Sequence, residues 1–224
     1  MTDWSTRPKP VGPSRWRFPP ADDWPPQDLI AAGGDLEPRT VVGAYRRGIF
    51  PMVVETPDPV LAWWSPDPRG VIPLDGFHRS RSLRGAIPRF EVRVNRAFEA
   101  VIRGCADPAR EHGWIDESFV AAYCRLHELG WAHSVETWVD GELTGGLYGV
   151  HVGGAFFGES MFHYVTDGSK VALVALVERL RSRGFALLDT QWMTPHLERF
   201  GTLLLSKREY HKRLETALKL AAEF

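Results

Sequence analysis

From about residue 70 onward the pattern of the chain is regular: its apolar positions switch between a period of two and a period near 3.6, and the switch points mark its elements. FEVRV, residues 90–94, alternates as a half-buried strand does. Asn95 is placed to cap a helix that carries Ala97, Phe98, Val101 and Ile102 on one face. Asp116 can cap the next, in which Phe119, Ala122, Tyr123 and Leu126 recur at helical spacing until Gly130 stops it. The period then falls to two. HSVETWV, the turn Asp140-Gly141, ELTGGLYGVHV, the turn Gly153-Gly154 and AFFGESMF predict an antiparallel meander. A helix from Ser169 to near Arg183 ends at Gly184, FALLDTQW is a strand, Thr194-Pro195 opens a short helix and TLLL is a further short strand. Ser206 with Glu209 forms a capping box at the start of the last helix.

Residues 1–65 read differently, being rich in Pro, Gly and Trp. Their one clear helix follows AAGGDL: Pro38 suits a first turn, Val41, Val42 and Tyr45 make an apolar stripe, and Gly48 ends it. A domain boundary is expected near AWWSPDPR, separating a small N-terminal domain, 1–65, from a larger one, 66–224. The element order is that of an α+β protein. It resembles the GNAT acyltransferases, and that resemblance implies a central, mainly antiparallel sheet whose adjacent strands splay around an acyl donor. A CoA-dependent member would carry a Gly-rich pyrophosphate loop, Q/R-x-x-G-x-G/A, before the helix that follows the meander. This chain has HYVTDGSK there, which disfavours a CoA donor.

Composition adds bounds. The 224 residues are 44% hydrophobic and 25% charged, ordinary values for a chain with a sizeable core. A net charge of −1 argues against generalised attraction to nucleic acid but allows a local basic patch. Between Arg69 and Arg96 lie seven arginines (69, 79, 81, 84, 89, 93, 96) against two acids, close to Trp63 and Trp64. Arginines beside aromatics suit single-stranded nucleic acid, and scattered surface arginines are the plainer alternative. The opening MTDWSTRPKP is polar and no apolar run reaches a membrane span, so a cytoplasmic protein is expected. Cys105 and Cys124 fit no metal or redox spacing and read as buried apolar residues. The eight histidines form no H-x-x-H pattern, so no metal is expected, and His78, His127, His133 and His163 read as structural. Oligomeric state does not follow from the sequence; a monomer is the default.

Two carboxylates stand in strands that ought to be buried. In AFFGESMF, alternation puts Glu159 on the face of Phe157 and Met161. A carboxylate there must be hydrogen-bonded, paired or functional, the structural alternative being an ion pair with Lys170 or an arginine. In FALLDTQW, Asp189 and Gln191 share one face and Leu188, Thr190 and Trp192 the other. An acceptor-only carboxylate beside an amide can orient a nucleophile or a carbonyl, unless both simply lie at a solvated strand end.

WRFPP, LIAAGGDL, AYRRGIFPM, WWSPDPRGVIP, HRSRSLR, AYCRLHELGWAHSVE, GGLYGV, FFGESMF and LLDTQ occur in that order. From about Arg15 to Tyr210 the chain resembles the leucyl/phenylalanyl-tRNA:protein transferases. The resemblance implies transfer of Leu or Phe, and Met less well, from aminoacyl-tRNA to the N-terminal Arg or Lys of a protein, which marks it as a bacterial N-degron. It implies catalytic roles for Asp189, Gln191 and Glu159, with Glu159 in a hydrogen-bond network with Gln191. It implies an apolar pocket at Leu147, Phe156, Met161 and Leu188, with Trp114, Tyr123 and Trp64 as aromatic contacts of the tRNA 3′ end. Met52 stands where the family often has Trp, and Leu176 at a further aromatic position. Strict alternation sets Phe156 and Leu188 on faces opposite Glu159 and Asp189, so a splay or a bulge near Gly158 is expected.

The implied reaction is aminolysis of an ester, which runs downhill without ATP, metal or other cofactor. Asp189 is expected to orient Gln191, whose carbonyl accepts from the attacking amine, with the tRNA ribose hydroxyl relaying the proton. Partners would be the 3′ end and acceptor-stem phosphates of the tRNA, and acceptor proteins with N-terminal Arg or Lys. Two rivals remain: an acyl-CoA N-acyltransferase and a non-catalytic RNA-binding protein.

Overall fold

The computed structural model describes residues 7–54, 59–108 and 114–224. The polar opening read from MTDWST lies outside them. In the N-terminal part, β1 (Leu29–Ala32), β2 (Phe50–Val54) and β3 (Val60–Trp64) form an antiparallel sheet in the order β1-β3-β2, with α1 (Pro38–Tyr45) between the first two. Pro38 occupies the first turn of α1 and Gly48, at φ +74°, follows its end, as the pattern predicted. The three strands were not predicted, because short segments such as LIAA and FPMVV carry no alternation long enough to read.

The remaining elements are β4 (Arg69–Ile72), α2 (Arg81–Ala86), β5 (Glu91–Val94), α3 (Phe98–Cys105), α4 (Glu117–Glu128), β6 (Ala132–Val139), β7 (Glu142–Val152), β8 (Ala155–His163), α5 (Gly168–Ser182), β9 (Leu187–Gln191), α6 (Pro195–Glu198), β10 (Leu203–Leu205) and α7 (Lys207–Leu218). Seven strands make one sheet, β10-β4-β9-β8-β7-β6-β5, in which every neighbouring pair is antiparallel except β8 and β9. The protein is therefore α+β with a mixed, mainly antiparallel sheet.

Most caps follow the sequence. Asp116 accepts from the backbone N–H groups of Ser118 and Phe119, Thr194 from Leu197 and Ser206 from Glu209. Asn95 does not cap a helix. It sits at φ +56°, bonds His133 and the Ser134 N–H, and α3 begins only at Phe98. The donors ahead of α3 are met instead by the buried carboxylate of Glu136 on β6, which accepts from Arg96 and Ala97 at 2.9 and 3.0 Å. A carboxylate is the better partner for the positive end of a helix, and it is supplied across the fold, out of reach of a local pattern.

Each face of the large sheet carries its own apolar cluster. One gathers Val101, Ile102, Phe119, Tyr123, Tyr148, Phe157, Phe162, Leu187, Tyr210 and Leu214 together with Tyr45, Phe50 and Trp63 from the N-terminal part. The other gathers Val135, Leu147, Phe156, Leu188 and the buried side of α5. Neighbouring residues on β8 and β9 thus divide between the clusters, Phe156 against Phe157 and Leu188 against Leu187. No helix among the described residues is long and apolar enough to cross a membrane.

Candidate active site

The site arises where β8 and β9 part. They pair in parallel at Ala155 with Leu187, Phe156 with Leu188 and Phe157 with Asp189. Beyond that last pair β8 continues to His163, and the two strands enter a cavity of about 840 Å³ from opposite sides. A crevice at the carboxyl ends of parallel strands is a general place for ligands.

Two bulges aim the chain into it. Between β7 and β8 the register runs from Gly149 with Gly158 to Tyr148 with Ser160, so Glu159 is an extra residue on β8. Gly149 permits this, because a Cβ there would collide with the Phe157 carbonyl and the Phe156 ring. Between β4 and β9 the register runs from Val71 with Asp189 to Gly70 with Gln191, leaving Thr190 as the extra residue. Gln191 then adopts φ +59°, a conformation rare outside glycine.

These bulges overturn both alternation arguments. Glu159 was expected to share a face with Phe157 and Met161, but Phe157 belongs to one cluster and Met161 packs against the other. Asp189 and Gln191 were expected to point together. Gln191 and Thr190 line the cavity, whereas Asp189 is fully buried behind it. The bulge falls at Glu159, one residue past the glycine expected to host it.

The cavity is apolar on one side and polar at its base. Leu147, Met161, Leu173, Leu176 and Leu188 form the apolar wall, and Phe50, Met52, Trp114 and Trp192 complete the apolar lining. Of the predicted pocket, Leu147, Met161, Leu188 and Trp114 line it. Phe156 does not: it is fully buried and stacked on Phe224 at 5.1 Å, because it pairs with Leu188 where β8 and β9 are still joined, ahead of the Glu159 bulge. Tyr123, expected to meet an adenine, is also fully buried and offers the site its hydroxyl, not its face. Trp64 stands behind Trp192, with ring centroids 6.1 Å apart. His163, Ser169 and His196 line the far end.

At the base, Gln191 Nε2 donates to Glu159 Oε1 at 3.0 Å and Tyr123 Oη donates to Glu159 Oε2 at 3.2 Å. Tyr45 and Tyr123 share a 2.6 Å hydroxyl contact, so four polar side chains run from α1 to β9. Burial pushes the Glu159 carboxyl up to about 8, against the lowering effect of the two tyrosine hydroxyls; repulsion from Asp189 adds to the rise and Arg69 opposes it. Burial also holds both tyrosines well above their usual range, so they remain neutral donors. The ion pair considered for Glu159 is not formed with Lys170, which pairs with Asp167 at 2.7 Å.

Behind the cavity, Asp189 is held on every side. Its Oδ1 accepts from Arg69 Nε and from the Gln191 backbone N–H, both at 2.9 Å. Its Oδ2 accepts from Arg69 Nη2 at 2.8 Å and Tyr210 Oη at 2.6 Å. Burial alone would lower the Arg69 guanidinium, but Asp189 beside it raises it on balance. The sequence marks none of Arg69, Tyr45 and Tyr210 as a site residue: Arg69 reads as one arginine of a basic segment, Tyr45 as part of an apolar stripe, and Tyr210 as an ordinary residue of the last helix. Arg69 also leaves the expected basic patch, being fully buried, whereas Arg81, Arg84 and Arg89 are exposed.

Comparison with known proteins gives the family. Residues 71–215 match the family model described as leucyl/phenylalanyl-tRNA protein transferase, and residues 34–67 match that of its N-terminal domain. A leucyl/phenylalanyl-tRNA–protein transferase of Maricaulis maris is 51% identical over 82% of this chain and 87% of its own length. One from Gloeobacter violaceus is 52% identical over 84% of this chain and 97% of its own. Among solved structures, L-PGS from Bacillus licheniformis aligns over 66% of this chain and 56% of its own at 13% identity, with a TM-score of 0.39 too low to carry weight. By its sequence the chain belongs to the leucyl/phenylalanyl-tRNA–protein transferase family, enzymes that move an aminoacyl group from tRNA to protein.

Proposed function

We propose that this enzyme joins Leu or Phe, and Met less well, from aminoacyl-tRNA to the N-terminal Arg or Lys of cytoplasmic proteins, creating an N-degron. The observation that carries this is the Glu159–Gln191 pair at the base of an apolar cavity that opens where β8 and β9 part. The same parting supports a GNAT-like reading of the larger sheet.

In this reading the aminoacyl side chain lies against Leu147, Met161, Leu176 and Leu188, and the terminal adenosine against Trp114 and Trp192. An apolar slot separates side chains by about 1–3 kcal/mol per methylene, enough to prefer Leu over Ala but not to exclude Met. The exposed Arg81, Arg84 and Arg89 meet tRNA phosphates.

The acceptor's α-amine has a reference pKa of about 7.7–8.0 and attacks only when neutral. Gln191, with its Nε2 committed to Glu159, turns its carbonyl oxygen to an amine N–H and aims the lone pair at the ester carbon. As the new C–N bond forms, Glu159 in its ionised form takes the proton the nitrogen loses. It then returns that proton to the ribose oxygen as the C–O bond breaks, so the products are a peptide bond and a free tRNA hydroxyl. A carboxyl that ionises near 8 takes that proton only in its ionised fraction, a minority at neutral pH that grows as the pH rises, so transfer should quicken toward pH 8. Asp189, each of whose oxygens already accepts two hydrogen bonds, acts by holding the Gln191 backbone.

The test is transfer of radiolabelled Phe from Phe-tRNA to a peptide with N-terminal Arg, beside arms containing RNase, a peptide with N-terminal Ala, and acetyl-CoA in place of the tRNA. Labelled Arg peptide only in the untreated tRNA arm is expected. Equal labelling of the Ala peptide would overturn the acceptor assignment, and acetylation without tRNA would overturn the donor.

A further inference from the structure

Gln191 sits at φ +59°, and non-glycine residues keep such a backbone only where their surroundings impose it. Its N–H is fixed at 2.9 Å by Asp189 Oδ1, and its neighbour across the sheet is Gly70, where a Cβ would stand 3.0 Å from the Trp192 backbone. Asp189 cannot drift, because Arg69 grips both of its oxygens and Tyr210 Oη takes a second site on Oδ2. Arg69 in turn donates to the Gly48 carbonyl at 3.1 Å and lies between the Phe50 and Tyr210 rings, 4.9 and 4.6 Å from their centroids. Gly48 is pressed against Tyr210, for a Cβ there would be 2.7 Å from the ring. The segment after α1, the strand β4 and the C-terminal helix α7 therefore meet on one carboxylate, whose remaining bond is to the backbone of the strained residue.

We propose that Arg69 and Tyr210 are positioning residues of the transfer reaction: through Asp189 they hold Gln191 in the left-handed conformation that brings its amide to Glu159. The proposal rests on the role given to Gln191 above. A trio that merely filled the core would need no bond to the one residue of β9 with positive φ. Because neither side chain lines the cavity, both act on the rate of the bound complex and not on its formation. A displacement of about 1 Å at a positioned group costs up to a hundredfold in rate, so partial release through one lost hydroxyl should cost about tenfold.

The experiment compares Tyr210→Phe, Gln191→Ala and the double variant in single-turnover transfer of Phe from Phe-tRNA to an N-terminal Arg peptide, with rates expressed per folded molecule. Tyr210→Phe removes one oxygen and keeps the ring that Gly48 and Arg69 pack on. Its rate at saturating tRNA should fall about tenfold, its half-saturating tRNA concentration should stay within about twofold, and the double variant should match Gln191→Ala alone. Arg69→Lys, which keeps the charge but loses the two-pronged grip, should show the same split more strongly. An unchanged rate in Tyr210→Phe, or an equal fall with and without Gln191, would overturn the proposal. A wild-type rate in Gln191→Ala alone would instead overturn the role of Gln191 itself.

Discussion

Glu159 should be a liability to the fold at the pH where it serves the reaction. Replacing it with Gln keeps the shape and the contacts with Tyr123 and Gln191 but removes the titration. An unfolded chain ionises this carboxyl at its ordinary 4.5, while the folded protein holds the proton until about 8. Between those values the unfolded state binds fewer protons, so stability falls as pH rises through the window and levels off above it. At about 1.4 kcal/mol per unit the whole window is worth on the order of 5 kcal/mol, and water in the open cavity trims that upper bound. Between about pH 5.5 and about pH 9 the share is about 3 kcal/mol. Urea unfolding of wild type and Glu159→Gln at both pH values isolates it, since other titrations cancel between the two proteins. The variant should gain about 3 kcal/mol on the wild type as the pH is raised, while losing transfer activity. A gap between the two proteins that moves by less than about 0.5 kcal/mol would show that the cavity base does not hold Glu159 protonated.

Gly149→Ala drives a Cβ into Phe157 and Phe156 opposite the Glu159 bulge, and should cost about 3 kcal/mol in chemical denaturation together with most activity. His133 and His151 form a buried chain with Asn95, and burial holds His133 well below its usual range and His151 down to about 4. Both are neutral in the folded protein, so their contribution is complete above about 6.5 and is lost as pH falls toward about 4; His151→Asn should flatten that acid limb of the stability profile. Alanine at both Arg81 and Arg84, which are exposed on α2, should leave single-turnover chemistry intact and reduce the salt dependence of tRNA binding by about one unit of log–log slope per arginine in a filter-binding titration.

Local signals in the sequence carried the regular parts of the fold. The meander, α4 with its Asp116 cap and α7 with its Ser206 cap each rest on residues within a few positions of one another. What stayed hidden is long-range. Glu136 ties down the residues just ahead of α3 from forty residues away, and Arg69 finds Asp189 across 120. The candidate site was half legible: an acid in AFFGESMF and a DxQ in FALLDTQW marked residues that meet at the cavity base or just behind it, but alternation misplaced both. A bulge of one residue inverts every face beyond it, and nothing in GES or DTQ announces that Glu159 and Thr190 are the extra residues. The aromatic expectation erred in kind. Tyr123 and Trp64 are near the site, yet one contributes a hydroxyl and the other backs Trp192, distinctions that depend on which side of a buried ring faces the cavity.

The most direct measurement is on Gln191→Ala, which leaves the apolar wall in place and removes the group held to aim the amine. Phe-tRNA affinity and single-turnover transfer to an N-terminal Arg peptide should be measured on the same preparation, near pH 8. The dissociation constant should stay within about threefold while the transfer rate falls by about a hundredfold or more, the loss expected when a positioned polar group is removed from the reacting centre. Affinity and rate falling together, or a rate that holds, would contradict the assignment of the cavity base as the place where the peptide bond is made.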